Sequence, residues 1–454
     1  MVLAPASPSE LIQQDREHLI HPLYHPDDHE SPIIFASAKG SILKDVEGNE
    51  YIDGLSCLWN VAIGHGREEL AKAGYEQLHT LAYASNYTGF ANVPAIQLAT
   101  ELMKVVYPSL RAVYFTSGGA ESNESAFKTA RFYWKARGKP DKVKIVSRKW
   151  GYHGVSIAAM SATGIPAYHK MFGPLAPGHV HIDPPYYYRA QTDKSFDEFG
   201  VDMANELEKA ILQEGPDTVA AFIAEPVQGA GGVIPPPPTY FPRIREICDQ
   251  YDVLFIADEV ITGFGRTGKM FALEHWGVEP DILSFAKAIT SGYLPLGGIV
   301  VNEKIQRAIL DVPASDKWMH AYTYSGHPTC CAVGLANLKI IVEEKLPERA
   351  ARLAPRLMAG LEKLRDHPLV GDVRGLGLMA AVEMVSDKAT KAGFEPSLKV
   401  ADRLMAEFRA RGLYTRVRGE VVCLAPPLSI PEDELDRAVQ IVGDSIEAVA
   451  QAIR

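Results

Sequence analysis

From about residue 112 to residue 302 the chain repeats one pattern: short apolar runs, "AVYFTS", "KIVSR", "VAAFIAEP", "VLFIADEV", "ILSFAK" and "LGGIVVN", separated by helix-like stretches. Strands with one wet face alternate apolar and polar residues, whereas strands covered on both faces do not. These continuous runs therefore predict a mostly parallel sheet flanked by helices, an α/β fold. At 454 residues the chain exceeds what one hydrophobic core fills, so more than one domain is expected. After about residue 328 long helices surround short strands such as "GLMAAVEMV" and "VVCLAPPL". The expected division is an N-terminal arm with part of the small domain over 1–55, a large domain over 56–328 and a smaller α+β domain over 329–454. "LKDVEGNEYID" reads as a hairpin in the arm. Ser429 with Glu432 reads as a capping box opening the last helix.

A formal net charge of -10 opposes broad electrostatic capture of nucleic acid or of an anionic membrane, which leaves small molecules as the expected partners. Cys57, Cys248, Cys330, Cys331 and Cys423 are scattered and read as reduced residues without a zinc pattern. No basic-then-apolar leader and no run of membrane-spanning length is seen, so a cytoplasmic protein is expected. "HLIHPLYHPDDH" gathers His18, His21, His25 and His29, but Pro22 and Pro26 interrupt any helix that could align them, and no metal site is expected.

Three stretches carry chemistry. In "FTSGGAESNESAFKTARFYWKARG", residues 115–138, a strand runs into a small-residue turn and then a long helical pattern. Backbone amides at such a helix start, unobstructed at Gly118 and Gly119, form an anion site that suits a phosphate. Alone, the glycine pair reads better as a tight turn; neither a Walker lysine nor a dinucleotide spacing accompanies it. In "VLFIADEVITGFGRTG", residues 253–268, an apolar strand ends on Asp258 and Glu259. Successive strand side chains point to opposite faces, so only one of these carboxylates can enter a given site. A carboxylate at the carboxyl end of a buried parallel strand stands where ligands bind in open α/β sheets, and it wants a cationic partner; a salt-bridged or capping aspartate is the plain alternative. Lys287 closes the next run, "ILSFAK", with little polar surface around it. An amine in apolar surroundings loses basicity and becomes a nucleophile toward carbonyls, although a surface lysine is the commoner fate.

An anion site, a carboxylate and a reactive amine together ask for a ligand with a phosphate, a basic ring nitrogen and a carbonyl, as in pyridoxal phosphate. From about residue 30 onward the chain resembles the class III pyridoxal-phosphate aminotransferases of fold type I, on "FIADEVITGFGRTG" followed by "SFAKAIT". The resemblance is to the ω-transaminase type. It implies pyridoxal 5'-phosphate as cofactor and transfer of an amino group from an amine or ω-amino acid to a keto acid, pyruvate first, through an internal aldimine on Lys287 and a pyridoxamine phosphate intermediate. Lys287 and Asp258 are then catalytic, with Asp258 on the ring nitrogen. Val260 lies beneath the ring, Tyr152 of "WGYHG" stacks above it, and Glu225 of "IAEPVQGAGG" is a supporting carboxylate. Gly118, Gly119 and Ala120 take the phosphate, without the two hydroxyls of the Ser-Gly-Ser found in many relatives. Tyr322 and Thr323 of "AYTYSGHP" reach the phosphate of a neighbouring subunit, which implies a homodimer, or a tetramer, with sites at the interface.

The same resemblance assigns substrate contacts to Trp59, Tyr152, Ala230 and Arg416. Arg416 would grip a carboxylate as a bidentate fork, and Arg418, two residues on, is its rival. Relatives specific for 2-oxoglutarate carry a glutamate where this chain has Ala230, so the expected acceptor is pyruvate. The alternatives are an ornithine- or 4-aminobutyrate-type aminotransferase using 2-oxoglutarate, or a decarboxylase or aminomutase on the same scaffold. A non-catalytic binding module is opposed by the presence of both Lys287 and Asp258.

Overall fold

The computed structural model describes residues 7–30 and 32–453. Residues 1–6 of the expected arm lie outside that range.

The six predicted strands form one seven-stranded sheet together with a further edge strand, His179–Ile182, which the apolar runs do not reveal. Its spatial order is Leu110–Thr116, Gly297–Asn302, Ile282–Phe285, Leu254–Asp258, Val219–Ala224, Lys144–Arg148 and His179–Ile182. Every neighbouring pair is parallel except those made by Gly297–Asn302, which is antiparallel to both its neighbours. The apolar runs are continuous because both faces are covered. In register, Phe222 pairs with Phe255 and Ile223 with Ile256. Phe222 and Phe255 pack with Ala204, Leu207 and Ile211 of helix Phe196–Glu214 and with Tyr240, Phe241 and Ile244 of helix Tyr240–Gln250. Ile223 and Ile256 pack on the opposite face with Ala126, Phe127, Ala130 and Trp134 of helix Gly119–Ala136. Each large apolar side chain so buried contributes on the order of 1.5–3 kcal/mol, which drives strand and helix together.

The other two sheets are separate in their hydrogen bonding but share the first of these apolar clusters, through Ile52 and Leu413 of one and Val373, Val382 and Val422 of the other. Phe35–Lys39, Ile42–Asp45 and Glu50–Asp53 form antiparallel pairs, the last two being the predicted hairpin. The C-terminal strand Leu413–Tyr414 joins this sheet parallel to Glu50–Asp53, so the two ends of the chain share one structure. Val370–Leu376, Met379–Met384, Val421–Leu424 and Arg416–Arg418 make an antiparallel sheet in that order. The last helix, Glu432–Ala452, has Pro431 at its N-cap and no side-chain cap. The expected Ser429–Glu432 capping box is therefore absent: the chain turns at Pro427–Ile430 and the helix starts too late for Ser429 to cap it. No helix among the described residues is long and apolar enough to cross a membrane.

A buried arginine ties these layers together. Arg266, 3% exposed, donates to the carbonyls of Leu378 and Pro426 and to Ser56 Oγ at 2.8 Å. Burial pulls its pKa down to about 10, partly offset by the charge of Asp53. Removing it leaves three acceptors without a donor. Arg266→Met should therefore lower stability by roughly 3 kcal/mol, read as a drop in the urea midpoint; an unchanged midpoint would show that these contacts contribute nothing net.

Candidate active site

Five segments meet at the carboxyl ends of the parallel strands, the edge where open α/β sheets bind ligands. Residues 118–120 follow Leu110–Thr116, 150–153 follow Lys144–Arg148, 225–232 follow Val219–Ala224, 258–260 end Leu254–Asp258, and Lys287 follows Ile282–Phe285. The segments are far apart in sequence and adjacent in space because the sheet makes them so.

Strand alternation decides what the paired carboxylates do. Asp258 continues the face of Leu254 and Ile256 and meets helix Gly119–Ala136. It is 2% exposed. Its Oδ2 accepts from Asn123 Nδ2 at 2.8 Å and lies 2.8 Å from His153 Nδ1, and its Oδ1 accepts the Val260 amide at 3.1 Å. Glu259 turns to the other face, where Tyr107 Oη (2.5 Å), Thr262 Oγ1 (2.6 Å) and the Ala272 amide (3.0 Å) donate to it. Burial raises the Glu259 pKa against those donors. Only Asp258 faces the site.

Lys287 sits in the left-handed region, φ 48°, where the strand breaks into a short 3-10 turn. A non-glycine residue held there is strained, by on the order of 1–3 kcal/mol, and such strain concentrates at functional positions. Burial lowers the Lys287 pKa, and the nearby charges of Asp258 and Glu225 oppose the shift without reversing it. Glu225, 2% exposed, accepts the amides of Tyr152 and Gly229, both at 2.9 Å, and burial raises its pKa. It thereby fixes the two loops that carry Tyr152 and Ala230. Tyr152 is partly buried, with its ring 5.5 Å from that of Tyr168.

The anion end is a helix start without a side-chain cap. Gly118 is extended, φ 178°, and the helix begins at Gly119. The first amides of any helix lack partners within it, so here they are open to an anion. Gly119 is required for a second reason: a Cβ there would lie 2.9 Å from Cγ1 of Val260. The anion turn and the residue expected beneath the ring are thus pressed together. The glycines of "LPLGGIVV" serve packing and not the site. A Cβ at Gly297 would meet Ser122 Oγ at 2.8 Å and one at Gly298 would meet Phe285 at 2.6 Å, so both serve strand and helix packing. An uncapped helix terminus, a buried carboxylate and an amine of lowered basicity fit a pyridoxal phosphate, the carboxylate matching its ring nitrogen and the amine its aldehyde.

A cavity of about 760 Å³ opens beside this cluster, lined among others by Trp150, Tyr168, Ala230, Arg416, Arg418 and Val421. The two arginines share a face, as expected for positions i and i+2 of a strand, but differ in engagement. Arg418 donates to the Gly231 carbonyl at 2.9 Å and stacks on Trp150 with its guanidinium 4.7 Å from the ring centre. The Arg416 side chain makes no hydrogen bond or ion pair with any of the described residues. Trp59, 3% exposed, stands one layer back, packed with Ile261, Val421 and Cys423. Tyr322 packs beside Tyr114, whose Oη takes the Tyr322 amide at 3.0 Å, and Thr323 is exposed.

Asn123 and His153, which orient Asp258, were not singled out from sequence. The signal was present: a buried carboxylate requires donors, and Asn123 lies four residues into the helix that faces it. The N-terminal histidines also come closer together than their prolines suggest. His21 and His29 stack at 3.9 Å beside Asp15, a residue outside the expected set. The ring planes are 17° apart, so their in-plane lone pairs cannot converge on one ion in this arrangement.

The sequence profile of the class-III aminotransferases matches residues 23–446. The chain belongs to the class III aminotransferases. It is 41% identical over 442 residues to the putrescine–pyruvate aminotransferase of Pseudomonas aeruginosa, covering 96% of each chain. It is 40% identical to the mitochondrial gamma-aminobutyrate transaminase 1 of rice, over 93% of this chain and 82% of that one. Among solved structures, an (S)-enantioselective ω-transaminase from Thermomicrobium roseum superposes with a TM-score of 0.96 at 45% identity, over 98% of this chain and all of the other. A class III aminotransferase of this fold uses pyridoxal phosphate and acts on small-molecule amines and keto acids.

The lowered basicity of Lys287 has a consequence for stability. Between its folded and ordinary pKa values the unfolded chain holds a proton that the folded chain has lost, so stability rises with pH through that window. Without cofactor, Lys287→Met should be more stable than the parent at about pH 7, with the advantage shrinking toward about pH 10. Urea midpoints at the two pH values measure this; a gap that does not change with pH would contradict a buried, weakly basic amine.

Proposed function

We propose that this class III aminotransferase works as an ω-transaminase, taking the amino group of a small amine or ω-amino acid and giving it to pyruvate. The observation that carries this reading is the pairing of Ala230 with an unengaged Arg416 in one cavity. A glutamate at residue 230 could hold the arginine aside; a methyl group cannot. Arg416 is then available to a carboxylate in both half-reactions, and the small acceptor is gripped through that group. The engagement of Arg418 with Gly231 and Trp150 supports Arg416 over its rival.

Gly118, Gly119 and Ala120 would hold the phosphate through backbone amides, and Tyr152 and Val260 would flank the ring. When bound, pyridoxal phosphate supplies an aldehyde and an electron-withdrawing ring. Asp258, kept in place by Asn123 and His153, holds a proton on the ring nitrogen. Lys287 Nζ, neutral more readily because it is buried, would carry the proton from the donor's amine-bearing carbon to the cofactor's carbonyl-derived carbon, and in the opposite direction with the keto acid in the second half-reaction. As in the relatives the chain resembles, Tyr322 and Thr323 would serve the phosphate of a second copy in a homodimer with sites at its interface; the exposure of Thr323 in the single chain is compatible with that.

Donor identity follows the cavity. Its Tyr168 and Trp150 walls suit an apolar group, and Glu420 on the same rim supplies a carboxylate for the far end of a diamine, in keeping with the putrescine–pyruvate relative. A tryptophan-to-glycine variant of a solved ω-transaminase was engineered for bulky amines, which supports Trp59 as a limit on donor size.

A panel of putrescine, β-alanine and an arylalkylamine against pyruvate and 2-oxoglutarate tests the reading. Turnover with pyruvate is expected to exceed that with 2-oxoglutarate; the reverse order would favour the 4-aminobutyrate type. Arg416→Ala should cost about 10–100-fold in kcat/KM for carboxylated donors and little for simple amines, while Arg418→Ala should cost both alike. Equal losses from Arg416→Ala would move the carboxylate grip elsewhere.

A further inference from the structure

The segment ahead of the cavity is the most strained piece of backbone in the site region. Ser56, Cys57 and Trp59 all have positive φ, 49°, 55° and 61°, and Cys57 has ψ -74°. That last combination is the rare, strained γ-turn conformation, and left-handed residues in series are costly for L-amino acids. Such a bend persists only where its surroundings over-determine it.

Two clamps do so. On one side Ser56 Oγ donates to the Ala425 carbonyl at 2.7 Å and accepts from Arg266. On the other, the fully buried Asp53 carboxylate accepts the amide of Leu55 at 3.2 Å and that of Cys57 at 2.7 and 2.9 Å. The remaining partner of Asp53 is His65, whose Nε2 lies 2.8 Å from Oδ2. His65 Nε2 is also 3.8 Å from Cys57 Sγ, so the imidazole braces both the clamp and the bend. Burial pushes the Cys57 thiol up to about 12, which keeps it a neutral packing group.

What the bend holds is a cavity wall. Trp59 packs on Val421 and Cys423, and Arg416 pairs directly with Cys423 in the adjoining strand. The strand of Asp53 is itself bonded to that region: Tyr414 pairs with Asp53, and the Gly54 amide donates to the Tyr414 carbonyl at 2.8 Å. Displacement of Asp53 would therefore move both the Trp59 side and the Arg416 side of one pocket.

We propose that His65 is a positioning residue for donor size. Through Asp53 it holds the 55–59 bend, and so sets where Trp59 backs the wall that carries Val421 and Arg416. This rests on Trp59 limiting the donor pocket. The test is the ratio of kcat/KM for a bulky arylalkylamine to that for a small alkylamine, with the preferred keto acid, in the parent, Trp59→Ala, His65→Ala, His65→Gln and the double alanine variant.

Trp59→Ala and His65→Ala should each shift the ratio by roughly tenfold, carried mainly by KM, and the double variant should shift it by less than the product of the two. His65→Gln, which returns an N–H donor to Asp53, should restore the parent ratio. A ratio unmoved by His65→Ala but moved by Trp59→Ala overturns the positioning role alone. A ratio unmoved by either overturns the pocket role of Trp59 and the proposal with it. Should His65→Ala fail to fold, Asp53→Asn, which keeps an acceptor for the amides and loses the charge facing His65, is judged by the same criteria.

Discussion

The active site depends on one carboxylate being buried where burial is expensive. Asp258 lies at the end of a strand covered on both faces, and an unpaired charge there would cost several kcal/mol. Asn123, His153 and the Val260 amide offset that cost, and each comes from a different part of the chain. Satisfying Asp258 therefore fixes the register of helix Gly119–Ala136 against the strand, the course of the loop through Tyr152, and the position of Val260. Gly119 is pressed on Val260 in turn, so the anion site inherits its place from the same carboxylate.

Lys287 is the counterpart. Its strained backbone and the burial that lowers its basicity both oppose stability. The surrounding fold, fully buried along Ile282–Phe285 and anchored on both sides in the sheet, absorbs the cost. An amine that is costly to keep charged is one available for chemistry on a carbonyl.

Much of this could be read from residue order alone, for a physical reason. Double burial removes alternation from strands, so six of the seven strands showed themselves as mainly apolar runs, and the sheet's carboxyl edge then located Gly118, Asp258 and Lys287 together; the edge strand His179–Ile182, covered less completely, alternates polar and apolar residues and gave no such run. Strand alternation separated Asp258 from Glu259 before any coordinates were needed. Less was visible where function depends on contacts between distant segments. Asn123 and His153 carry no local pattern. The different engagement of Arg416 and Arg418 depends on the Gly231 carbonyl and Trp150, nearly two hundred residues or more away in sequence. The Ser429 capping box failed because local spacing suggested a helix start that the turn at Pro427–Ile430 delays. The left-handed bend at 56–59 was unreadable because none of its three left-handed residues is glycine.

The central claim is that Lys287 is the amine that engages the cofactor's carbonyl. Borohydride reduction of the enzyme in the presence of pyridoxal phosphate, followed by peptide mapping, tests it most directly, because reduction makes any carbon–nitrogen link permanent. The account predicts one pyridoxyl group per chain, on Lys287, with loss of activity in proportion to labelling. Labelling at another lysine, or full inactivation with Lys287 unmodified, would contradict it.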